Sequence, residues 1–165
     1  MIDFRATRVT DPLAHSLLSE YFTERAETFP SDSRGYRTTF PEPEQFVEPN
    51  GVFLMVVDAD AAVDAVGCGG VRRLDAGASP RFEVKHLWLR PEVRGRGWGG
   101  LLLAELERRA YAFGAAEMVL DTNASLLAAG HLYRAAGYRQ IAPYNDNPNA
   151  TTWYAKTLTH QQSEP

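Results

Sequence analysis

A single cysteine, Cys68, stands among 165 residues. That excludes an intramolecular disulfide and any metal site built on cysteine, so no metal is expected. So little cysteine fits a reducing compartment, and a cytoplasmic setting is the expectation. No apolar run approaches the roughly 18 residues that a bilayer crossing needs. The opening MIDFRATRVTDPL mixes charge into its apolar residues from the first turn, unlike the h-region of a secretory signal. No membrane partner is therefore expected, and the sequons at Asn123 and Asn149 are read as chance. Internal repeats, low-complexity tracts and long linkers are also missing, so residues 1–165 read as one domain around one core. Nor is there an excess of positive charge. The 17 Lys and Arg face 21 Asp and Glu, for a net charge of −4, which argues against a nucleic-acid partner.

What is present is a globular mixture in which 44% of residues are apolar and 23% charged, enough to bury a core. Charge is unevenly spread. Residues 20–50 hold seven acids (Glu20, Glu24, Glu27, Asp32, Glu42, Glu44, Glu48) against three arginines. Residues 90–96 hold Arg90, Arg94 and Arg96 against Glu92 alone. One end of the molecule should attract cations, and one short loop an anion.

Hydrophobic periodicity predicts a strand over 2–9, then a helix over 11–28 opened by Asp11 and Pro12. Strands follow over 51–59 and 65–74, joined by a tight turn, and a further strand over 82–90. There Phe82, Val84, His86 and Trp88 alternate with Glu83, Lys85, Leu87 and Leu89, so neither face is cleanly polar. A helix over 98–113, a strand over 117–122, a helix over 125–136 and strands over 138–142 and 151–158 complete the chain. This order implies a mixed α/β sheet covered by helices. Residues 30–50, rich in Pro, Ser and Glu, read as an irregular excursion, and such loops are often functional.

The informative segment is LRPEVRGRGWGGLLLA, from Leu89 to Ala104. A strand ends, a turn of glycine and arginine follows, and an amphipathic helix begins. Glycines allow close backbone approach, and the free N–H groups of a first helical turn point at an anion. Glycines inside the helix would cost roughly 1 kcal/mol each relative to alanine, and ligand contact is the simplest offset. An ordinary glycine-rich strand-to-helix turn is the plainer alternative. The turn is not a P-loop, because G-x-x-x-x-G-K-[ST] is absent. A dinucleotide site would place its glycines after the first strand, not the fourth.

Arg94-Gly-Arg-Gly97-Trp-Gly99 resembles the [RQ]-x-x-G-x-[GA] signature of the GNAT superfamily of N-acetyltransferases. The flanking E-V-K-x-L-x-L strand, the R-P-E-x-R-G-x-G turn and the later L-Y-R-x-x-G-Y segment are similar as well, over roughly residues 51–158. The resemblance implies a mixed, mostly antiparallel sheet of six to seven strands with helices on both faces, splayed between the fourth and fifth strands. It implies transfer of the acetyl group of acetyl-CoA to a primary amine of a small molecule or protein, by direct attack in a ternary complex. By the same resemblance, the main chain of Arg94, Gly95, Arg96, Gly97, Trp98, Gly99 and Gly100 would hold the pyrophosphate. Leu87, Trp88 and Leu89 would pair with the pantetheine arm. Asn123 would touch the coenzyme or, equally, cap the next helix.

Two residues are candidates for the chemistry. Glu83, where some family members place a catalytic glutamate, is a candidate base. It also reads as a surface acid paired with Lys85 or an arginine, with water as the relay. Tyr133 matches the family tyrosine that lies near the coenzyme sulfur; its phenol, of pKa ~10, suits a thiolate whose conjugate acid resembles cysteine's, near 8.5. It also reads as a core aromatic. Gly130 departs from the family pattern and loosens the helix that carries Tyr133, and His131 reads as a surface residue. Cys68 reads as a small apolar residue in the sheet. The acceptor would lie among Tyr21, Phe22, Phe29, Tyr36, Phe40 and the 143–148 loop, where the acids of 20–50 favour a cation. A non-catalytic acyl-CoA sensor and a nucleotide-binding protein are the rival readings. The oligomeric state stays open, a homodimer being among the forms allowed.

Overall fold

The structure, a computed structural model, describes residues 1–31, 34–60 and 65–159. Asp32 and the turn between the second and third strands lie outside the described residues. The elements are β1 (Ile2–Thr7), α1 (Pro12–Thr28), β2 (Gly51–Asp58), β3 (Gly67–Arg73), β4 (Arg81–Leu89), α2 (Trp98–Ala112), β5 (Glu117–Thr122), α3 (Leu127–Ala135), β6 (Arg139–Ile141) and β7 (Thr152–Thr157). Short 3₁₀ turns at Pro43–Phe46 and Pro91–Val93 punctuate the loops. Among the described residues, no helix is long and apolar enough to cross a membrane.

Local chemistry explains the helices. Asp11 Oδ1 accepts hydrogen bonds from the amides of Leu13 at 2.9 Å and Ala14 at 3.3 Å, closing the N-terminus of α1. Proline at the first helical position then sacrifices no bond. α1 buries Ala14, Leu17, Leu18 and Phe22, and α2 buries Leu102, Leu103, Leu106 and Ala110. Removing a leucine side chain from such a face costs roughly 2–5 kcal/mol.

The strands form one mixed, seven-stranded sheet in the order β1-β2-β3-β4-β5-β7-β6. Neighbours run antiparallel except β4 and β5, which run parallel. One face packs on α2 through Val52, Leu54, Val56, Phe82, Val84 and Leu89. The other packs on α1 and the first 3₁₀ turn through Phe46, Phe53, Cys68 and Trp88. Cys68 is fully buried, and desolvation pushes its thiol well above the usual range. On this face Gly70 is a matter of space: a Cβ there would lie 2.7 Å from the Phe46 ring.

The strict alternation expected along β4 does not hold. Gly70 pairs with Lys85 but Cys68 with Trp88, so Gly69 of β3 faces both His86 and Leu87. This is a β-bulge, and His86 occupies it with φ +56°. Phe82 and Val84 therefore share the α2 face with Leu89, whereas Trp88 lies on the α1 face. Periodicity could not show it, because the extra residue reverses the parity of everything after it.

Candidate active site

The β4–β5 pairing is brief. Arg81 pairs with Glu117, Phe82 with Met118 and Glu83 with Val119, and there it stops. β5 continues along β7 to Thr122, while the far half of β4 keeps only β3 as a neighbour. A strand edge at Leu87, Trp88 and Leu89 is thus left facing a gap, as the resemblance implied.

At the end of this edge comes the glycine turn. Gly95 and Gly97 have φ of +76° and +79°, a region that side-chain-bearing residues enter only with strain. Gly97 is the N-cap of α2 and no side chain caps the helix, so the amides of its first turn keep no intrahelical partner. Gly99 and Gly100 sit in that turn, where a Cβ would meet Leu132 at ordinary contact distances of 3.5 and 3.9 Å. Packing therefore does not demand glycine at either position, and the turn has the shape and polarity to receive an anionic group from outside. The Arg94 amide is spent on the carbonyl of Pro91 at 3.2 Å.

The arginines play a different part from the one their number suggested. Arg90 holds Glu20 through two bonds of 2.9 and 2.6 Å. Arg94 holds Glu24 at 2.6 Å and the Leu89 carbonyl at 2.9 Å. Glu24 also accepts the indole N–H of Trp88. Burial alone would raise the Glu24 pKa, but the bonds from Arg94 and Trp88 outweigh it and hold the carboxyl below its usual range. Arg96 stacks over Trp98 at 5.2 Å and lies 3.9 Å from Asp58. Arg90 and Arg94 thus staple α1 to the turn, and the positive end of the α2 main-chain dipole lies at Gly97.

Next to the gap lies a cavity of about 460 Å³, walled by α1, β4, the end of β5, the loop after Pro143 and Tyr133 of α3. Tyr133 is both a core and a cavity residue. Its ring packs 6.0 Å from Tyr138 and 5.9 Å from Tyr154, and burial raises its phenol well above the usual range. α3 runs through Gly130 without a break, and a Cβ there would stand 3.2 Å from the Arg134 guanidinium. His131 is exposed beside Arg134. Asn123 lines the cavity and accepts the Ser125 amide at 3.0 Å, but α3 begins only at Leu127 with no side-chain cap. Glu83 is fully buried rather than on a half-exposed face. It pairs with Arg72 at 2.8 Å, lies 3.8 Å from Lys85, accepts the Tyr144 hydroxyl at 2.6 Å, and is not among the cavity-lining residues.

A family model described as the acetyltransferase (GNAT) family matches residues 13–138. The chain belongs to the GNAT acetyltransferase family. An uncharacterized N-acetyltransferase of Schizosaccharomyces pombe is 35% identical over 108 residues, covering 66% of this chain and 64% of that protein, so the chain spans less than two thirds of this relative's length. A presumed acyl-CoA N-acyltransferase of Klebsiella pneumoniae is 25% identical, with a TM-score of 0.74 over 96% of this chain and 99% of the other. A GNAT family acetyltransferase of Elizabethkingia anophelis with acetyl-CoA bound shares the fold at 15% identity, with a TM-score of 0.62 over 95% and 98% of the two chains.

Sequence reasoning missed several cavity residues of this GNAT chain. Asp121 accepts from Asn145 at 2.7 Å and Asn147 at 3.1 Å, with Lys85 at 3.5 Å, and so latches the loop onto β5. The alternating asparagines of the loop were the available signal. His86 lies among Tyr21, Phe22 and Phe46, and its buried Nδ1 has no partner among the described residues. Burial first, then the charges of Lys85 and Arg72, push its pKa down to about 3. Of the acids in 20–50 that are described, only Glu42 lines the cavity. The excess of acid therefore does not make the cavity acidic.

Proposed function

We propose that this chain transfers the acetyl group of acetyl-CoA to a primary amine of a small molecule or protein, by direct attack in a ternary complex. The observation that carries the reading is the parting of β4 from β5 after Glu83, which opens one slot between the uncapped N-terminus of α2 and the cavity lined by Tyr133. The acetyl-CoA in the Elizabethkingia neighbour supports it, as does the name of the yeast relative. The lone buried Cys68 fits a reducing cytoplasm.

Acetyl-CoA supplies an activated acyl group on sulfur. The amides of Gly95 to Gly100 hold its phosphates, and the free edge of β4 at Leu87 to Leu89 aligns its arm, with Asn123 at the far wall. An acceptor amine of pKa ~10.4 must first lose a proton, which costs about 4–5 kcal/mol at pH 7. Glu83 is engaged by Arg72 and Tyr144, so cavity water is the open route for that proton. The amine nitrogen bonds to the acyl carbon as the carbon–sulfur bond breaks, and it sheds its second proton to cavity water. Tyr133 passes its O–H proton to the departing sulfur and takes back a proton through that same water. Holding both partners in one slot contributes much of the acceleration.

A screen of amine acceptors with acetyl-CoA, read by release of free thiol, tests this. Acceptor-dependent release is expected. A folded protein that binds acetyl-CoA yet releases no thiol with any acceptor would be a non-catalytic acyl-CoA-binding module.

A further inference from the structure

Four cationic side chains line the cavity: Arg25, Arg37, Arg72 and Lys85. Arg72 is neutralised by Glu83, and Lys85 lies between Glu83 and Asp121. Arg37 is exposed at the rim, as are the carboxylates of Glu42 and Asp146. Arg25 differs from them. It stands half-buried in the last turn of α1, with its guanidinium 5.3 Å over the Tyr21 ring. Among the described residues no carboxylate forms an ion pair with it, because Glu20 and Glu24 of the same helix are held by Arg90 and Arg94.

We infer that the acceptor carries a carboxylate next to its amine, as an α-amino acid does, and that Arg25 selects it by a two-point hydrogen bond. A guanidinium fork matches a carboxylate in plane and spacing, and one stacked on an aromatic ring is already oriented. Arg25 and Tyr133 line the same cavity, so an acceptor seated there with its amine toward Tyr133 shares that space with the Arg25 guanidinium. Phe22, Phe29, Tyr36 and Phe40 supply a wall for an apolar or aromatic side chain. A polyamine would instead place further positive charge against an unpaired guanidinium. The identity of the amine as the reacting group rests on the acetyl-transfer reading above; the recognition of the carboxylate does not.

The test uses matched acceptors: phenylalanine, phenylalaninamide and phenethylamine, and leucine, leucinamide and isoamylamine. Rates are compared per unprotonated amine, since the three forms differ in basicity. The free acids should exceed their amides and decarboxylated amines in kcat/KM by at least about tenfold, the scale of one charged hydrogen bond. Arg25→Gln should erase that advantage through KM, and Arg25→Lys should keep part of it. Equal or faster reaction of the amides with the parent protein overturns the assignment and leaves acetyl transfer standing. So does an advantage that survives in Arg25→Gln. Thermal shifts by the same compounds separate the two readings. Stabilisation by the free acids alone, lost in Arg25→Gln and without thiol release, upholds carboxylate recognition and sinks acetyl transfer.

Discussion

At Arg81–Glu83, β4 has β3 on one side and β5 on the other, whereas from Val84 onward only β3 remains. In the closed half, Glu83 has no exposure and takes bonds from Arg72 and Tyr144. In the open half, His86 sits in a bulge at positive φ with an unpartnered ring nitrogen, and the free edge runs into an uncapped helix. One strand thus changes from paired on both edges to open on one within a few residues. The difference teaches that the same strand can take up a carboxylate wholly, as Arg72 and Tyr144 take up Glu83, and a few residues on leave its edge free. Where the sheet opens, the His86 ring nitrogen and the first-turn amides of α2 are left without partners among the described residues.

Each half can be broken separately. The largest effect belongs to the open half. Tyr133→Phe should lower kcat by about 10²–10⁴-fold while acetyl-CoA affinity stays nearly intact, because the hydroxyl acts on a sulfur that carries charge only late in the reaction. Steady-state kinetics with calorimetry check it. A loss below about threefold would mean that water protonates the sulfur and that Tyr133 is a core aromatic.

The closed half answers to Glu83→Gln. Breaking a buried ion pair from one side should cost about 3–5 kcal/mol of stability in denaturant titrations, with kcat of the folded fraction little changed. A large fall in kcat at unchanged stability would instead make Glu83 the base.

Gly97→Asp probes the point where the free edge meets α2. A carboxylate there repels phosphate, and φ of +79° adds strain. Coenzyme affinity should fall by at least ~10-fold with the fold retained. Unchanged affinity by calorimetry in a folded variant would put the coenzyme elsewhere.

The bulge itself should show a pH dependence. Burial, then Lys85 and Arg72, hold the His86 pKa at about 3, against ~6.5 in an unfolded chain. Between those values the unfolded chain binds a proton that the folded one refuses. Stability from this group is therefore complete above pH 6.5 and falls by up to about 1.4 kcal/mol per unit as the pH drops toward 3. His86→Gln should flatten that slope in denaturation curves at pH 7 and 5. Parallel slopes would show that the ring is solvated from the cavity.

Most elements were legible because they rest on local rules. The Asp11-Pro12 start of α1 is short-range chemistry, and the predicted strands overlap the observed ones to within a few residues. The glycine turn was legible for the same reason, since positive φ at Gly95 and Gly97 selects one residue type wherever it occurs. The bulge at His86 and Leu87 was not, because a register shift is a property of two strands.

The sequence by itself thus determined the order of the elements and the glycine turn with its positive φ at Gly95 and Gly97. Tertiary structure alone decided which charges remain free. Glu20 and Glu24 meet Arg90 and Arg94 across 70 positions of chain, and Glu83 meets Tyr144 across 61. Neither composition nor motif records such pairings, because a charge is cancelled only by what the folded chain sets within a few ångströms of it.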